Sequence, residues 1–185
     1  MTTQIFTLAN QLTLLRMLLI PAFVLLVVYG YFGWALLVFL AAGATDALDG
    51  LAARQAGSKT SLGAWLDPAA DKLLLVTAFV VLTLPNLGLV NRIPIWLTIL
   101  VISRDVGIEL TVAIVSLAMG PRTFRPSSLG KASTAFFIVT CVVVMYFNYL
   151  GRTSIVVDSC IWISLAVTLA SGIDYVFRVA KIINQ

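Results

Sequence analysis

Four aspartates at fixed spacing are the residues of this chain best suited to chemistry. Asp46, Asp49, Asp67 and Asp71 are half of its eight acidic residues and fall within 26 positions. If both segments are helical, the first two share one helix face, and the last two share a face of the next helix. Four carboxylates at one place cannot all stay ionised without cations between them. Because oxygen-only ligands favour hard divalent ions, the spacing predicts a site for Mg²⁺ or Mn²⁺.

Small residues continue the same two faces. Gly50 and Ala53 follow the first two aspartates at helical spacing, and Gly63 precedes the second two. Side chains this small leave room for a planar group, so the pattern favours a nucleotide site, with Arg54 at its edge to bind a phosphate. Small residues also let membrane helices pack closely, and this structural role of the glycines stays open.

The aspartates could also have a purely structural role. Pairing with Arg54, Lys59 and Lys72 would neutralise three of the four. This would offset a cost of about 2.5–3.5 kcal/mol for each aspartate placed at the centre of a membrane helix. A cation transporter fits less well, because the aspartates lie at one end of two consecutive segments and no inverted repeat is visible. A structural scaffold leaves the carboxylate spacing unexplained.

The composition predicts the elements that must position these residues. The chain has 185 residues, of which 61% are hydrophobic and 11% charged, and its mean hydropathy is +1.04. A soluble domain is about half apolar and about a quarter charged, so we expect an all-α integral membrane protein. Residues 1–185 would form one domain, a bundle of six transmembrane helices with a polar cavity at the cytoplasmic end. The predicted spans are 11–31, 34–54, 63–85, 93–119, 130–150 and 155–178.

Charge and residue usage narrow the function further. With the aspartates on the cytoplasmic side of the inner membrane, ten of the 12 basic residues share that side, and only Arg92 and Arg152 lie outside. The net charge of +4 suits phosphates and lipid headgroups. No nucleic-acid partner is expected, because the basic residues are scattered among the spans. The absence of histidine excludes histidine-dependent nucleophiles. Cys141 and Cys160 are predicted to be buried core residues rather than a disulfide.

The pattern D-x-x-D-G-x-x-A-R-x8-G-x-x-x-D-x-x-x-D, from Asp46 to Asp71, resembles the signature of the CDP-alcohol phosphatidyltransferases, with every fixed position matched. The resemblance implies a six-helix homodimer that transfers the phosphatidyl group of CDP-diacylglycerol to an alcohol and releases CMP. It implies two divalent cations held by the four aspartates, with Asp71 also taking the proton of the acceptor hydroxyl. The residues implied for the CDP site are Asn10, Thr13, Gly50, Ala53, Arg54 and Gly63.

Two acceptor alcohols fit this resemblance. Asn10-x-x-Thr13-x-x-Arg16 resembles the N-terminal pattern of bacterial phosphatidylglycerophosphate synthases, which use glycerol 3-phosphate. Ser103-Arg104-Asp105 is closer to the cardiolipin synthases, which use phosphatidylglycerol. We expect glycerol 3-phosphate, with cardiolipin synthesis or another acceptor as the alternative. The residues predicted to bind the acceptor phosphate are Arg104, Lys131, Arg122 and Arg125.

These basic residues could also have roles unrelated to the acceptor. Arg122 and Arg125 satisfy the preference of cytoplasmic loops for positive charge. Arg104 could instead belong to an internal ion-pair cluster with Asp105 and Glu109 that orders the site.

Overall fold

The computed structural model describes residues 8–56, 61–119 and 127–183, with side chains at 11, 13–45, 70, 72–117 and 127–180. Within these residues the chain is all-helical and contains no strand. The helices are α1 (Leu8–Val28), α2 (Phe32–Ala56), α3 (Ser61–Thr83), α4 (Ile95–Met119), α5 (Ser128–Tyr149) and α6 (Ile155–Ile183). Each predicted segment overlaps one of these helices, so the all-α prediction is confirmed.

The six helices pack as a closed ring. Among the described residues α1 contacts α2, α2 contacts α5, α5 contacts α6, α6 contacts α4, α4 contacts α3, and α3 returns to α1. Contacts of α3 with α5 and with α2 cross the ring. The ring therefore places α1 against the two aspartate-bearing helices, and it leaves α4 and α6 together on the opposite side.

Aromatic pairs mark the core of the ring. The rings of Phe23 and Phe39 join α1 to α2 with centroids 5.7 Å apart. Phe79 and Phe137 join α3 to α5 at 5.6 Å with an edge-on geometry, an arrangement that aromatic quadrupoles favour. The predicted core cysteines are both free and buried, with Cys141 fully inside.

Two helices are long and apolar enough to cross a membrane, over Ser128–Tyr149 and Ile155–Ala180. Shorter apolar stretches of the described residues cover Thr13–Val28, Phe32–Thr45 and Lys72–Thr83. Helix α4 has an arginine and two acidic residues in its middle turns. Together with the composition, the two spans indicate a membrane protein, while the six-span arrangement, the orientation and the single domain stay predictions.

Glycines close two of the connections at the bundle end remote from the aspartates. After α1, Gly30 has φ 79°, its N–H donates to the Val27 carbonyl, and the N–H of Tyr31 donates to Leu26. After α5, Gly151 has φ 63° and the same pattern of bonds. A positive φ is inexpensive only for glycine, so these residues end their helices and turn the chain back.

Asparagines hold the loop between α3 and α4 against α5. The side chain of Asn148 accepts from the backbone N–H of Asn91 at 2.9 Å. It donates to the Asn91 carbonyl at 2.8 Å and to the Val144 carbonyl at 2.8 Å. Both asparagines are buried, so these bonds satisfy polar groups that have little water available.

Candidate active site

The signature residues all lie in helices. The side chains of these residues lie outside the described part of the chain, so their contacts stay predictions. The second half of α2 holds Asp46, Asp49, Gly50, Ala53 and Arg54, and the first half of α3 holds Gly63, Asp67 and Asp71. The prediction that each pair of aspartates shares a helix face required both segments to be helical, and the structure confirms that they are. Because α2 and α3 also contact each other, the fold is compatible with the two faces meeting.

The metal prediction falls on the same four aspartates. Among the residues whose side chains are described, no group of three or more histidine, cysteine, aspartate or glutamate side chains could hold a metal ion. The donor set that the sequence offers on α2 and α3 consists of carboxylate oxygens alone. This set fits a hard divalent cation, and the spacing of Asp67 and Asp71 places neighbouring carboxylates on one helix face.

Helix α1 contributes a buried polar surface to the same side. Asn10 lies in the first turn of α1, and Thr13 is buried. Arg16 is fully buried, the largest side chain of the described residues to be so. Since α1 packs only on α2 and α3 within the described chain, Arg16 is buried against the helices that carry the aspartates. A buried guanidinium requires anions or hydrogen-bond acceptors around it, and this position is compatible with a place beside the cluster.

Arg16 was not among the site residues predicted from the sequence. From the sequence it was identified only as one of the ten basic residues predicted to lie on the cytoplasmic side. Its place at the end of the pattern Asn10-x-x-Thr13-x-x-Arg16 was the signal that could have identified it, because these spacings put the three residues on one helix face.

The Arg104 side chain reaches from the middle of α4 to the start of α5. A Cβ on Gly130 would stand 3.6 Å from its Nη2 atom. The Arg104 side chain is only 11% exposed, and Nη1 donates to Asp105 at 2.6 Å. Its Nε atom is buried and has no hydrogen-bond partner among the described residues. Arg104 is therefore a partly buried cation with donor capacity left for an anionic ligand.

The first turn of α5 adds to this positive site. Ser127 caps the helix by accepting from the Gly130 N–H at 2.9 Å, and no acidic residue lies in the first turn. The positive end of the helix dipole normally attracts acidic side chains. Here it faces Arg104 and is followed by the exposed Lys131, and the Asp174 carboxylate of α6 lies beside the capping Ser127 and balances part of this positive charge. The structure thus brings Arg104 close to Gly130, the residue before Lys131, whereas Arg122 and Arg125 lie outside the described residues.

A second ion pair connects α3 to α4 next to the signature. Lys72, which directly follows Asp71, donates to Glu109. The predicted cluster of Arg104 with Asp105 and Glu109 is thus confirmed for Asp105 alone. Glu109 lies five residues after Arg104, which turns it about 140° around the helix and towards α3. The sequence did not reveal this pair, because helical spacing along α4 does not identify the neighbouring helix.

The far side of α6 holds a further polar contact near the α5 start. Arg178 donates to Asp174 at 2.8 Å, and the Tyr175 hydroxyl donates to the Ile108 carbonyl of α4 at 3.0 Å. The first bond lies within α6, and the second attaches the end of α6 to α4 about one turn after Arg104.

Comparisons with known proteins agree with this arrangement of residues. The family model described as CDP-alcohol phosphatidyltransferase matches residues 6–170. The chain is 31% identical to the "Probable phosphatidylglycerophosphate synthase" of Mycobacterium tuberculosis over 96% of its own length and 84% of that protein's. It is 29% identical to the "CDP-diacylglycerol--glycerol-3-phosphate 3-phosphatidyltransferase" of Bacillus subtilis, over 92% and 93% of the two chains. It is 34% identical to the "Cardiolipin synthase (CMP-forming)" of Streptomyces coelicolor, over 72% and 62%. The chain, an enzyme that acts on a CDP-lipid and an alcohol acceptor, belongs to the CDP-alcohol phosphatidyltransferase family.

Proposed function

We propose that this enzyme transfers the phosphatidyl group of CDP-diacylglycerol to glycerol 3-phosphate and releases CMP. The single observation that carries the choice of acceptor is that the side chain of Arg104, on α4, lies beside the first turn of α5. A dianionic acceptor needs cations with free donors, and Arg104 is a partly buried cation whose buried Nε atom has no partner among the described residues.

The CDP-lipid site would lie between α1, α2 and α3. Asp46, Asp49, Asp67 and Asp71 would hold two divalent cations, Mg²⁺ or Mn²⁺, which when bound would neutralise the diphosphate and favour departure of CMP. Asp71 would take the proton of the acceptor hydroxyl as that oxygen attacks phosphorus. The nucleotide would lie against the small side chains, and the residues proposed to line that site are Asn10, Thr13, Gly50, Ala53, Arg54 and Gly63.

The acceptor phosphate would lie between α4 and α5. Arg104 and Lys131 would bind it from the two helices, with Arg122 and Arg125 completing the site from the connection between them. The Lys72–Glu109 pair joins α4 to the residue after Asp71, which would keep the acceptor hydroxyl near its base. Placement of the two reactants in this way supplies much of the rate in such reactions.

Full-length similarity also supports this acceptor. The two relatives whose names specify a phosphatidylglycerophosphate product or a glycerol 3-phosphate acceptor match more than nine-tenths of the chain. The relative named as a cardiolipin synthase matches 72%. Cardiolipin synthesis from phosphatidylglycerol stays the second candidate, because Ser103-Arg104-Asp105 on α4 resembles that group. We also propose a homodimer in the inner membrane with the site on the cytoplasmic side.

The test is CMP release by the purified enzyme in lipid with CDP-diacylglycerol and Mg²⁺ or Mn²⁺. Glycerol 3-phosphate, phosphatidylglycerol and inositol phosphate are supplied in separate reactions, and the lipid product is identified by mass. We expect rapid CMP release with glycerol 3-phosphate and none after chelation of the metal. Turnover with phosphatidylglycerol alone would replace the proposed acceptor, and turnover that survives chelation would contradict the metal site.

A further inference from the structure

Helices α3 and α4 contact each other through two polar pairs that lie on one face of each helix. At the end remote from the aspartates, the hydroxyl oxygens of Thr83 and Thr98 are 2.6 Å apart. Next to the signature, Lys72 donates to Glu109. The two pairs are 11 residues apart on both helices, from 72 to 83 and from 98 to 109, which is about three turns and returns to the same face. The antiparallel packing of α3 and α4 therefore places Glu109 against Lys72.

The same packing decides which acidic residue partners each cation of these two helices. Lys72 is the one basic residue in the sequence of α3, and Arg104 is the one basic residue in that of α4. Arg104 donates to Asp105 at 2.6 Å, and Lys72 donates to Glu109. Each cation thus has an acid of α4 as a partner, and Lys72 has a partner outside the aspartate cluster.

The charge of Lys72 is close enough to the predicted metal site to affect it. Lys72 directly follows Asp71 in α3, so their Cα atoms are about 3.8 Å apart. Even with both side chains fully extended in opposite directions, the ammonium and the carboxylate would lie within about 14 Å of each other. A unit positive charge at that distance weakens the binding of a divalent cation by about threefold in water, and by more where the dielectric constant is lower.

Glu109 can cancel this effect without forming a strong ion pair. The side chains of Lys72 and Glu109 are 45% and 59% exposed, and an exposed ion pair contributes little to stability. The carboxylate nevertheless stays beside the ammonium, because α3 and α4 are packed together. Two opposite charges at one place have no net charge, so their combined field at the aspartates is weaker than that of Lys72 alone.

We propose that Glu109 sets the cation affinity of the aspartate site by cancelling the charge of Lys72. The proposal rests on the metal site of the proposed function and adds a residue of α4 to its control. Glu109 is a positioning residue in this role, because it acts through Lys72 and not on the cations or the substrates. Without Glu109, the Lys72 ammonium would be an uncompensated cation beside the cluster and would oppose the binding of Mg²⁺ or Mn²⁺ to the carboxylates.

The experiment measures Mn²⁺ binding to the full chain in phosphatidylcholine nanodiscs, without CDP-diacylglycerol or an acceptor. Free Mn²⁺ is measured by electron paramagnetic resonance at low ionic strength, since salt screens charges at this separation. Glu109→Gln should raise the Mn²⁺ concentration at half-saturation by about threefold or more. Lys72→Met removes the opposite charge and should lower that concentration by a similar factor.

Two further variants separate the local charge from other effects. The double variant Lys72→Met/Glu109→Gln keeps the net charge of the pair at zero, so it should bind Mn²⁺ nearly as tightly as the parent. Asp158→Asn also removes one acidic charge, but Asp158 lies in the first turn of α6, at the end of the bundle remote from the aspartates. This control should leave the half-saturation unchanged, and circular dichroism should show parental helicity for every variant.

Opposite shifts in the two single variants support the proposal, because a purely structural pair would weaken binding when broken from either side. Parental affinity in Glu109→Gln would overturn the proposal and leave the metal site standing. Weaker binding in both single variants, or an equal loss in Asp158→Asn, would overturn it in favour of helix packing or of total charge. Failure of the parent to bind Mn²⁺ would contradict the metal site itself and the inference with it. Use of another acceptor alcohol would leave every one of these binding results unaffected.

Discussion

Replacing Arg104 by glutamine tests the acceptor site most directly. The guanidinium is 11% exposed, so its hydrogen bonds to a phosphate would be charge-assisted and largely shielded from water. Such a bond contributes about 1.5–3 kcal/mol, which corresponds to a rise of roughly 10- to 150-fold in the KM for glycerol 3-phosphate. Lys131 is exposed, and an exposed charge contact is worth at most about 1 kcal/mol, or about fivefold in KM. The KM for CDP-diacylglycerol should stay nearly constant in both variants.

The assay measures initial rates of CMP release in mixed micelles, with each substrate varied while the other is saturating. Asp105→Asn is the matched control, because it removes the ion-pair partner of Arg104 and keeps the guanidinium. If Arg104 only orders α4 through Asp105, the two variants will have the same kinetics. An equal rise in both KM values for Arg104→Gln, or an Asp105→Asn variant with the same defect, would refute the assignment of Arg104 to the acceptor site.

Three further variants address catalysis and stability. Asp71→Asn should abolish CMP release while the circular dichroism spectrum and the thermal unfolding curve stay those of the parent, and an active variant would contradict its role as the base. Asn148→Ala should lower the free energy of unfolding by about 2–4 kcal/mol, because it leaves buried backbone groups of Asn91 without partners. Thermal unfolding in detergent measures this change, and an unchanged midpoint would show that water replaces the lost hydrogen bonds. Gly151→Ala should destabilise by about 1–2 kcal/mol, since its φ of 63° is unfavourable for alanine; equal stability of variant and parent would show that the turn rearranges.

Periodicity and composition were sufficient to predict the helices. A run of about 20 apolar residues is strongly biased to be helical in a membrane, because the backbone must satisfy its own hydrogen bonds there. The breaks were also predictable, since Gly30 and Gly151 supply the positive φ that ends a helix. The starts and ends of the helices differ from the predicted ones by a few residues, because capping by local bonds such as that of Ser127 sets the final turn.

The family was likewise predicted from the chain alone, whereas the roles of the individual site residues stay predictions. The interval from Asp46 to Asp71 matches one long motif at every fixed position, and the family model covers the same residues. This was possible because the metal and nucleotide binding that the motif implies would constrain residue type and helical spacing at once, and both are properties of a local segment. The acceptor was harder to predict, because its proposed ligands come from different helices and the connection between them.

The sequence by itself therefore determined the helical class, the indication of a membrane protein and the family motif that contains the four aspartates, all of which follow from local spacing and hydropathy. Only the tertiary structure decided which helices are neighbours. It placed the Arg104 side chain of α4 beside the start of α5, and it paired Glu109 with Lys72 rather than with Arg104. It also left a groove between α4 and α6. The physical reason is that helical periodicity specifies the face on which a side chain lies, whereas the packing of whole helices specifies what that face meets.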